Sequence, residues 1–111
     1  MKHLHLGEFE ELVLLAVCGL GEAAYAVPIQ QRIEARAGRA ATMGAVYATL
    51  DRLEQKGFLA SQLGAVTRQR GGKRKRFYEI TGTGLAAVSA MRRAREHMWE
   101  GLEWHPSLGL E

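Results

Sequence analysis

The chain has 111 residues, 47% of them hydrophobic and 24% charged, with a formal net charge of +3. That length suits one domain with a real core and excludes two ordinary ones. The longest apolar run falls within residues 12–20, short of a membrane span, and the start lacks a basic stretch followed by an apolar segment and a cleavage site, so a soluble cytoplasmic protein is expected. Cys18 is the only cysteine, which excludes an intrachain disulfide, and its place in an apolar helix predicts a small buried hydrophobe.

From residue 9 to residue 20 the apolar positions Phe9, Leu12, Val13, Ala16, Val17 and Leu20 form a helical stripe, which Leu14 and Leu15 widen almost all round. Such a helix needs cover on several sides, and a second subunit is the expected source of part of it. Glu8, Glu10 and Glu11 fall in the first turn, where carboxylates complement the partial positive charge of a helix N-terminus; Gly19 and Gly21 mark the end. A second helix is predicted from about Pro28, with Ile29, Ile33 and Ala37 inward, before Gly38.

Thr42 is placed to cap a third helix, in which Val46, Leu50 and Leu53 pack inward while Thr42, Ala45, Thr49 and Arg52 face out. Gly57 stops it. Two short helices joined by a tight turn make a helix-turn-helix, whose second helix presents its N-terminal residues to a major groove. Phe58 and Leu59 then open an extended segment, a basic Gly-Gly turn spans residues 70–75, and Phe77, Tyr78 and Ile80 return as a strand, giving a two-stranded ribbon.

The charge is concentrated in that ribbon. Arg68, Arg70, Lys73, Arg74, Lys75 and Arg76 put six cations in nine residues without an acid, while the other nine basic residues face 12 acidic ones. One patch therefore carries the positive field, and its position on a turn between strands suits a polyanion. Thr81 is placed to cap a last helix from about residue 82 to residue 103, ended by Pro106. Ala87, Met91, Ala94, Met98 and Leu102 make its apolar stripe and Arg92, Arg93 and Glu96 its other side. With no later segment to cover that stripe, it is expected on the first helix and on a twin subunit.

His3, His5, His97 and His105 do not form a metal-binding set, and no nucleophile elbow, phosphate loop or HExxH is present. Neither an enzyme nor a cofactor is expected.

In this order of elements the chain resembles the PadR family of transcriptional regulators. The resemblance rests on LGEFEELVLLAV at residues 6–17, YAVPIQQRIE at 25–34, GAVYATLDRLEQKGFL at 44–59 and GGKRKRFYEIT at 71–81. It implies a mainly α fold with a small β-ribbon: a winged helix-turn-helix over residues 1–81, and a long C-terminal dimerisation helix and tail over residues 82–111. The chain resembles the shorter members, which dimerise through that single last helix. Ala24, Met43, Gly82 and Thr83 depart from residues common in the family at the starts of these helices, which bears on operator preference rather than on DNA binding.

By the resemblance, Thr42, Gly44 and Tyr47 match positions that approach DNA, and Gly72, Lys73 and Arg74 match the wing tip. The expected DNA-contacting set is Thr42, Met43, Gly44, Tyr47, Arg52, Arg70, Gly72, Lys73, Arg74 and Lys75. Tyr47 is open between a core-edge aromatic and a phosphate contact, and Gly44 between close backbone approach and an ordinary helix start. Leu12, Leu15, Met91, Met98 and Leu102 are expected at a homodimer interface. Trp99, with Trp104, is placed either to hold a small apolar effector or to pack in the dimer core. The function implied is a homodimeric, ligand-responsive repressor on a pseudo-palindromic operator of double-stranded DNA. The alternative is a winged-helix protein-interaction module whose wing meets an acidic partner; retention on random duplex DNA at low salt separates the two.

Overall fold

The computed structural model describes residues 6–65 and 74–102. Helix α1 (Glu8–Leu20) is followed by a single 3-10 turn (Gly21–Ala23), α2 (Ala26–Ala37), α3 (Met43–Gln55), strands β1 (Leu59–Leu63) and β2 (Arg76–Ile80), and α4 (Gly82–Trp99). The two strands pair antiparallel in the register Leu59↔Ile80 to Leu63↔Arg76. The expected elements are present in the expected order. Arg68, Arg70, Gly72, Lys73, Trp104 and Pro106 lie outside the described residues.

Helix α1 is the centre of the core. Val13, Leu14, Ala16 and Val17 are buried and meet Ile29 and Ile33 of α2, Val46, Leu50 and Leu53 of α3, and Phe58, Tyr78, Ala87 and Val88 from the ribbon and α4. Burying each of the larger of these side chains contributes about 1.5–3 kcal/mol. The chain thus covers more of α1 than its breadth of apolar residues suggested; Leu15 and Cys18 are exposed. The prediction of a buried thiol fails because Cys18 falls on the open side of the helix, one position past the last buried residue.

Helix α2 starts at Ala26 rather than Pro28, with Tyr25 as N-cap, and ends at Gly38, whose φ of 64° suits a residue without a Cβ. Ile29 and Ile33 point inward as expected, whereas Ala37, in the last turn beside the cap, is exposed. On α3 it is Thr49 that departs from expectation. It is buried, because three residues from Val46 and one from Leu50 it sits on the flank of the apolar stripe, and its hydroxyl accepts a hydrogen bond from Arg52 Nη2 at 3.2 Å. Ala45 and Arg52 are exposed as expected, along with Gly44, Tyr47, Ala48, Asp51 and Gln55.

Thr81 joins the ribbon to α4. Its hydroxyl oxygen accepts from the Gly84 N–H at 3.0 Å and its proton is donated to the Gly57 carbonyl at 2.7 Å, while its own N–H donates to the Phe58 carbonyl. Helix and chain reversal meet so closely there that a Cβ on Gly84 would lie 2.2 Å from the Phe58 oxygen. Only glycine fits. At its other end α4 stops at Trp99, with Gly101 at a φ of 79°, before the expected stop at Pro106. Leu102 therefore lies beyond the helix instead of continuing its stripe. Gly84, Ala87 and Val88 are buried and Met91 is half-buried, but residues 92–100 are exposed throughout.

Two adjacent carboxylates fasten α1 to its neighbours, a role that helix-end charge and solvation alone did not predict. Glu10 and Glu11 are both buried. One helical step separates them by about 100°, so they reach different partners. Glu10 accepts from Arg52 Nε at 3.0 Å and Lys56 Nζ at 2.8 Å, both at the end of α3, and from the Gly7 N–H at 2.9 Å. Glu11 pairs with Arg95 of α4 through both carboxylate oxygens. Burial alone raises the Glu10 pKa, but the Lys56 ammonium, the Gly7 N–H and the Arg52 guanidinium outweigh it and bring it down to about 2.

Because the folded value lies below the unfolded one, this stabilisation is complete above the ordinary carboxylate pKa of 4.5 and is lost as pH falls towards 2. Glu10→Gln should cost about 2 kcal/mol near neutral pH, with the gap to the parent closing on acidification. Urea unfolding of both proteins from about pH 7 to about pH 3 reads that gap. A gap of constant size would assign the effect to packing rather than to charge.

Candidate nucleic-acid interface

The turn between α2 and α3 is held from the α2 side. Gln30 Nε2 donates to the Ala41 carbonyl at 2.7 Å, and Glu34 Oε2 accepts from the Ala41 N–H at 3.4 Å. Arg39, in the same turn, reaches back to Glu8 at 3.3 Å and lies over the Phe9 ring. Thr42 then caps α3, its hydroxyl accepting from the Ala45 N–H at 3.0 Å. With Glu10 on Arg52 and Lys56 at the far end, α3 is fixed at both ends.

The exposed face of α3 and the ribbon enclose a concave surface of about 600 Å3 lined by Tyr25, Ala26, Val27, Tyr47, Leu63, Arg74, Lys75, Arg76 and Tyr78. Tyr47 is 53% exposed at its wall. Arg74 is exposed and Lys75 half-buried. The Lys75 ammonium lies 4.5 Å from the centre of the Tyr25 ring and 3.4 Å from its hydroxyl. Arg76 turns to its own sheet, donating to Ser61 Oγ at 3.0 Å, and Ser61 in turn donates to Glu54 at 2.8 Å. Arg74, Lys75, the exposed Tyr47 and a helix face thus line one concavity.

The structure brings Tyr47 of α3 together with Arg74 and Lys75 at the root of the wing, and leaves Thr42 and Gly44 exposed at the start of α3, outside that lining. It does not bring Arg52 to them: that guanidinium is engaged by Glu10 and Thr49 at the opposite end of α3. Met43 is half-buried against the core. A Cβ on Gly44 would meet nothing closer than Thr42 Oγ1 at 4.0 Å, so no contact within the chain demands glycine there. Tyr25, Ala26 and Val27, at the start of α2, are among the lining residues outside the expected set, with Leu63, Arg76 and Tyr78 of the ribbon. The signal available for those at the start of α2 was the aromatic just ahead of Pro28, a place where a helix start faces outward.

Residues 14–90 match the family described as Transcriptional regulator PadR-like family. The chain belongs to this family. Its fold is the DNA-binding winged helix of these transcriptional regulators, with four helices and a two-stranded ribbon as the resemblance implied. Among solved structures it is similar to a PadR-like transcription factor from Bacteroides fragilis, with 24% identity, a TM-score of 0.70, and 83% of this chain and 84% of that one covered. A transcriptional regulator from Clostridium thermocellum gives 20% identity and a TM-score of 0.66, covering 82% and 85%. A PadR family transcription regulator from Clostridium difficile gives 18% identity and a TM-score of 0.66, covering 81% and 90%. At these identities the likeness is one of fold. A comparison with curated proteins finds no match. Among the described residues no helix is long and apolar enough to cross a membrane.

Proposed function

We propose that this PadR-like regulator is a homodimeric repressor that reads a pseudo-palindromic operator through α3 and holds its phosphates with the wing. The observation that carries the reading is the concavity in which Tyr47 of α3 faces Arg74 and Lys75 across the start of α2. In this reading residues 1–81 bind DNA and residues 82–111 supply the dimerisation helix and tail. The helix N-terminus formed by Thr42, Met43 and Gly44 enters the major groove, with Gly44 allowing close backbone approach. Arg70, Gly72 and Lys73 are assigned contacts to the sugar-phosphate backbone in this reading.

Arg52 moves out of the contacting set, since its charge is already matched by Glu10. The dimer contact also shifts along α4. Leu12 and Met91 pack partly against the protomer's own core, whereas Leu15, Met98, Trp99 and Leu102 are exposed, Met98 by 77%. An apolar surface of that kind on an otherwise polar helix end favours a second copy as its cover. Trp99, 66% exposed beside Met98, is the residue through which a planar or cationic apolar effector would reach the dimer. Titration with a panel of such compounds should quench or shift its emission and weaken operator binding together; compounds that change neither remove the effector from the reading.

Sedimentation tests the dimer. Met98→Glu with Leu102→Glu should give monomers at micromolar concentration without loss of the fold, because neither residue is in the protomer core, and operator affinity should fall steeply once two half-sites cannot be engaged together. A full dimer in that variant rejects the α4 interface.

Wing and recognition helix should fail differently. Lys73→Ala with Arg74→Ala should weaken operator and random duplex alike and lower the slope of log affinity against log salt by about one unit per lost phosphate contact. Replacing Thr42 by Ala should instead alter operator preference, at a cost of about 1–3 kcal/mol per lost base discrimination, with the slope nearly unchanged. Affinities for operator and scrambled duplex across a salt series decide. A wing variant with the parent's slope would show that the wing is not the phosphate-binding element.

A further inference from the structure

The root of the wing is built from contacts that converge on the residue capping α2. Beyond the last paired position, Leu63 with Arg76, the ladder is extended by the Gly64 N–H donating to the Lys75 carbonyl at 2.7 Å. This fixes the Lys75 backbone. The Phe77 ring fills the space beside Gly64, where an added Cβ would lie 2.7 Å from the ring edge. The Phe77 ring also meets the Tyr25 ring edge to face, with centroids 5.4 Å apart. Tyr25 also carries the Lys75 ammonium, 4.5 Å from its ring centre and 3.4 Å from its hydroxyl. One aromatic ring therefore touches two successive wing positions of like facing, Lys75 and Phe77, two residues apart on the strand.

Tyr25 is itself held firmly. It is the N-cap of α2, its carbonyl accepts from the Ile29 N–H, and the preceding Ala24 carbonyl accepts from the Tyr78 N–H at 2.9 Å, so the chain just ahead of α2 is hydrogen-bonded to the edge of β2. A lysine is ordinarily the most mobile of cations, with four rotatable bonds to restrain before it can fix a phosphate. Resting on a tyrosine face restrains those bonds in advance. The lysine then has less freedom to lose on binding.

We propose that Tyr25 is the positioning residue of the wing: it holds the Lys75 ammonium at the mouth of the concavity facing Tyr47, so that the phosphate contact is set by the start of α2 as well as by the ribbon. This rests on the DNA-binding reading above. It assigns Tyr25 no contact with DNA of its own. Its effect on binding passes through Lys75.

Two measurements on the full chain test this. In the free protein, ring-current shielding should move the Lys75 ε-methylene protons upfield of the other lysines in the parent and in Tyr25→Phe, and leave them at the ordinary position in Tyr25→Leu. In operator binding at low salt, Tyr25→Leu should lose roughly two- to fivefold in affinity, Tyr25→Phe should stay close to the parent, and Tyr25→Leu should add nothing once Lys75→Ala is present. Losses that add in the double variant overturn the proposal, since Tyr25 would then act independently of Lys75. Unshifted Lys75 protons in a parent that binds DNA overturn it without touching the function proposed above. A parent with shifted protons that fails to bind any duplex at low salt overturns that function and the role of Tyr25 with it. If Tyr25→Leu loses the dispersed methyl resonances of the core, the ring is a support of the fold and the positioning role is rejected.

Discussion

Placing two carboxylates side by side at the start of a buried helix is costly unless both are met by cations, and in this protein both are met from different directions. Glu10 faces the end of α3 and Glu11 faces α4, so a single turn of α1 holds α3 and α4 in a fixed relation. The cations approach from the surface, with the Arg52, Lys56 and Arg95 side chains 51%, 38% and 52% exposed, while the acids are nearly buried. Such a pairing keeps part of the hydration of each cation and avoids the full desolvation penalty of an interior ion pair. Its main effect is geometric. Apolar packing alone allows helices to slide by small amounts, whereas two charge-assisted contacts on adjacent residues set both the register and the rotation of α1.

This use of charge also explains why the net value of +3 says little about the surface. Among the described residues, Arg39, Arg52, Lys56, Arg92 and Arg95 are each matched by a glutamate, and Arg76 is turned to Ser61 and, beyond it, Glu54. Arg74, Lys75 and Arg76 line the concavity beside α3, and of these Arg76 is engaged by Ser61. The field that a polyanion meets is therefore set by where the cations are neutralised, and the neutralised ones lie on the helical body.

Much of the fold was legible because each boundary had a local cause. Thr42 and Thr81 cap the helices they precede, and Gly38 and Gly57 take the positive φ that ends α2 and α3. The ribbon followed from its β-formers and its strand spacing. What escaped was decided by tertiary contact. Glu10 and Glu11 have a sufficient local explanation in the helix dipole, so nothing in their spacing points to Arg52, Lys56 or Arg95, their partners between 42 and 84 residues away in sequence. For the same reason Arg52 looked like an exposed groove contact. Thr49 is polar on the flank of an apolar stripe, where periodicity does not decide inside from outside. In the candidate site, the α3 positions could be placed from the helix start, but Tyr25 could not, since its role depends on β2 returning beside the start of α2.

The last helix raises the remaining physical question, which is why it continues after its protomer contacts end. From Arg92 onward every residue of α4 is exposed, and the final turn carries Met98 and Trp99. A short helical extension in water gains little from propensity alone and depends on burying one face. Arg92 and Glu96 add an ion pair at 3.0 Å, but both side chains are largely exposed, so that pair contributes no more than a few tenths of a kcal/mol. Packing against a second copy supplies the missing term under the proposed homodimer. Because Arg95 ties the start of this exposed stretch to Glu11, such a dimer would take its geometry from the same turn of α1 that holds α3, and the spacing of two reading helices would be fixed by contacts already present within each protomer.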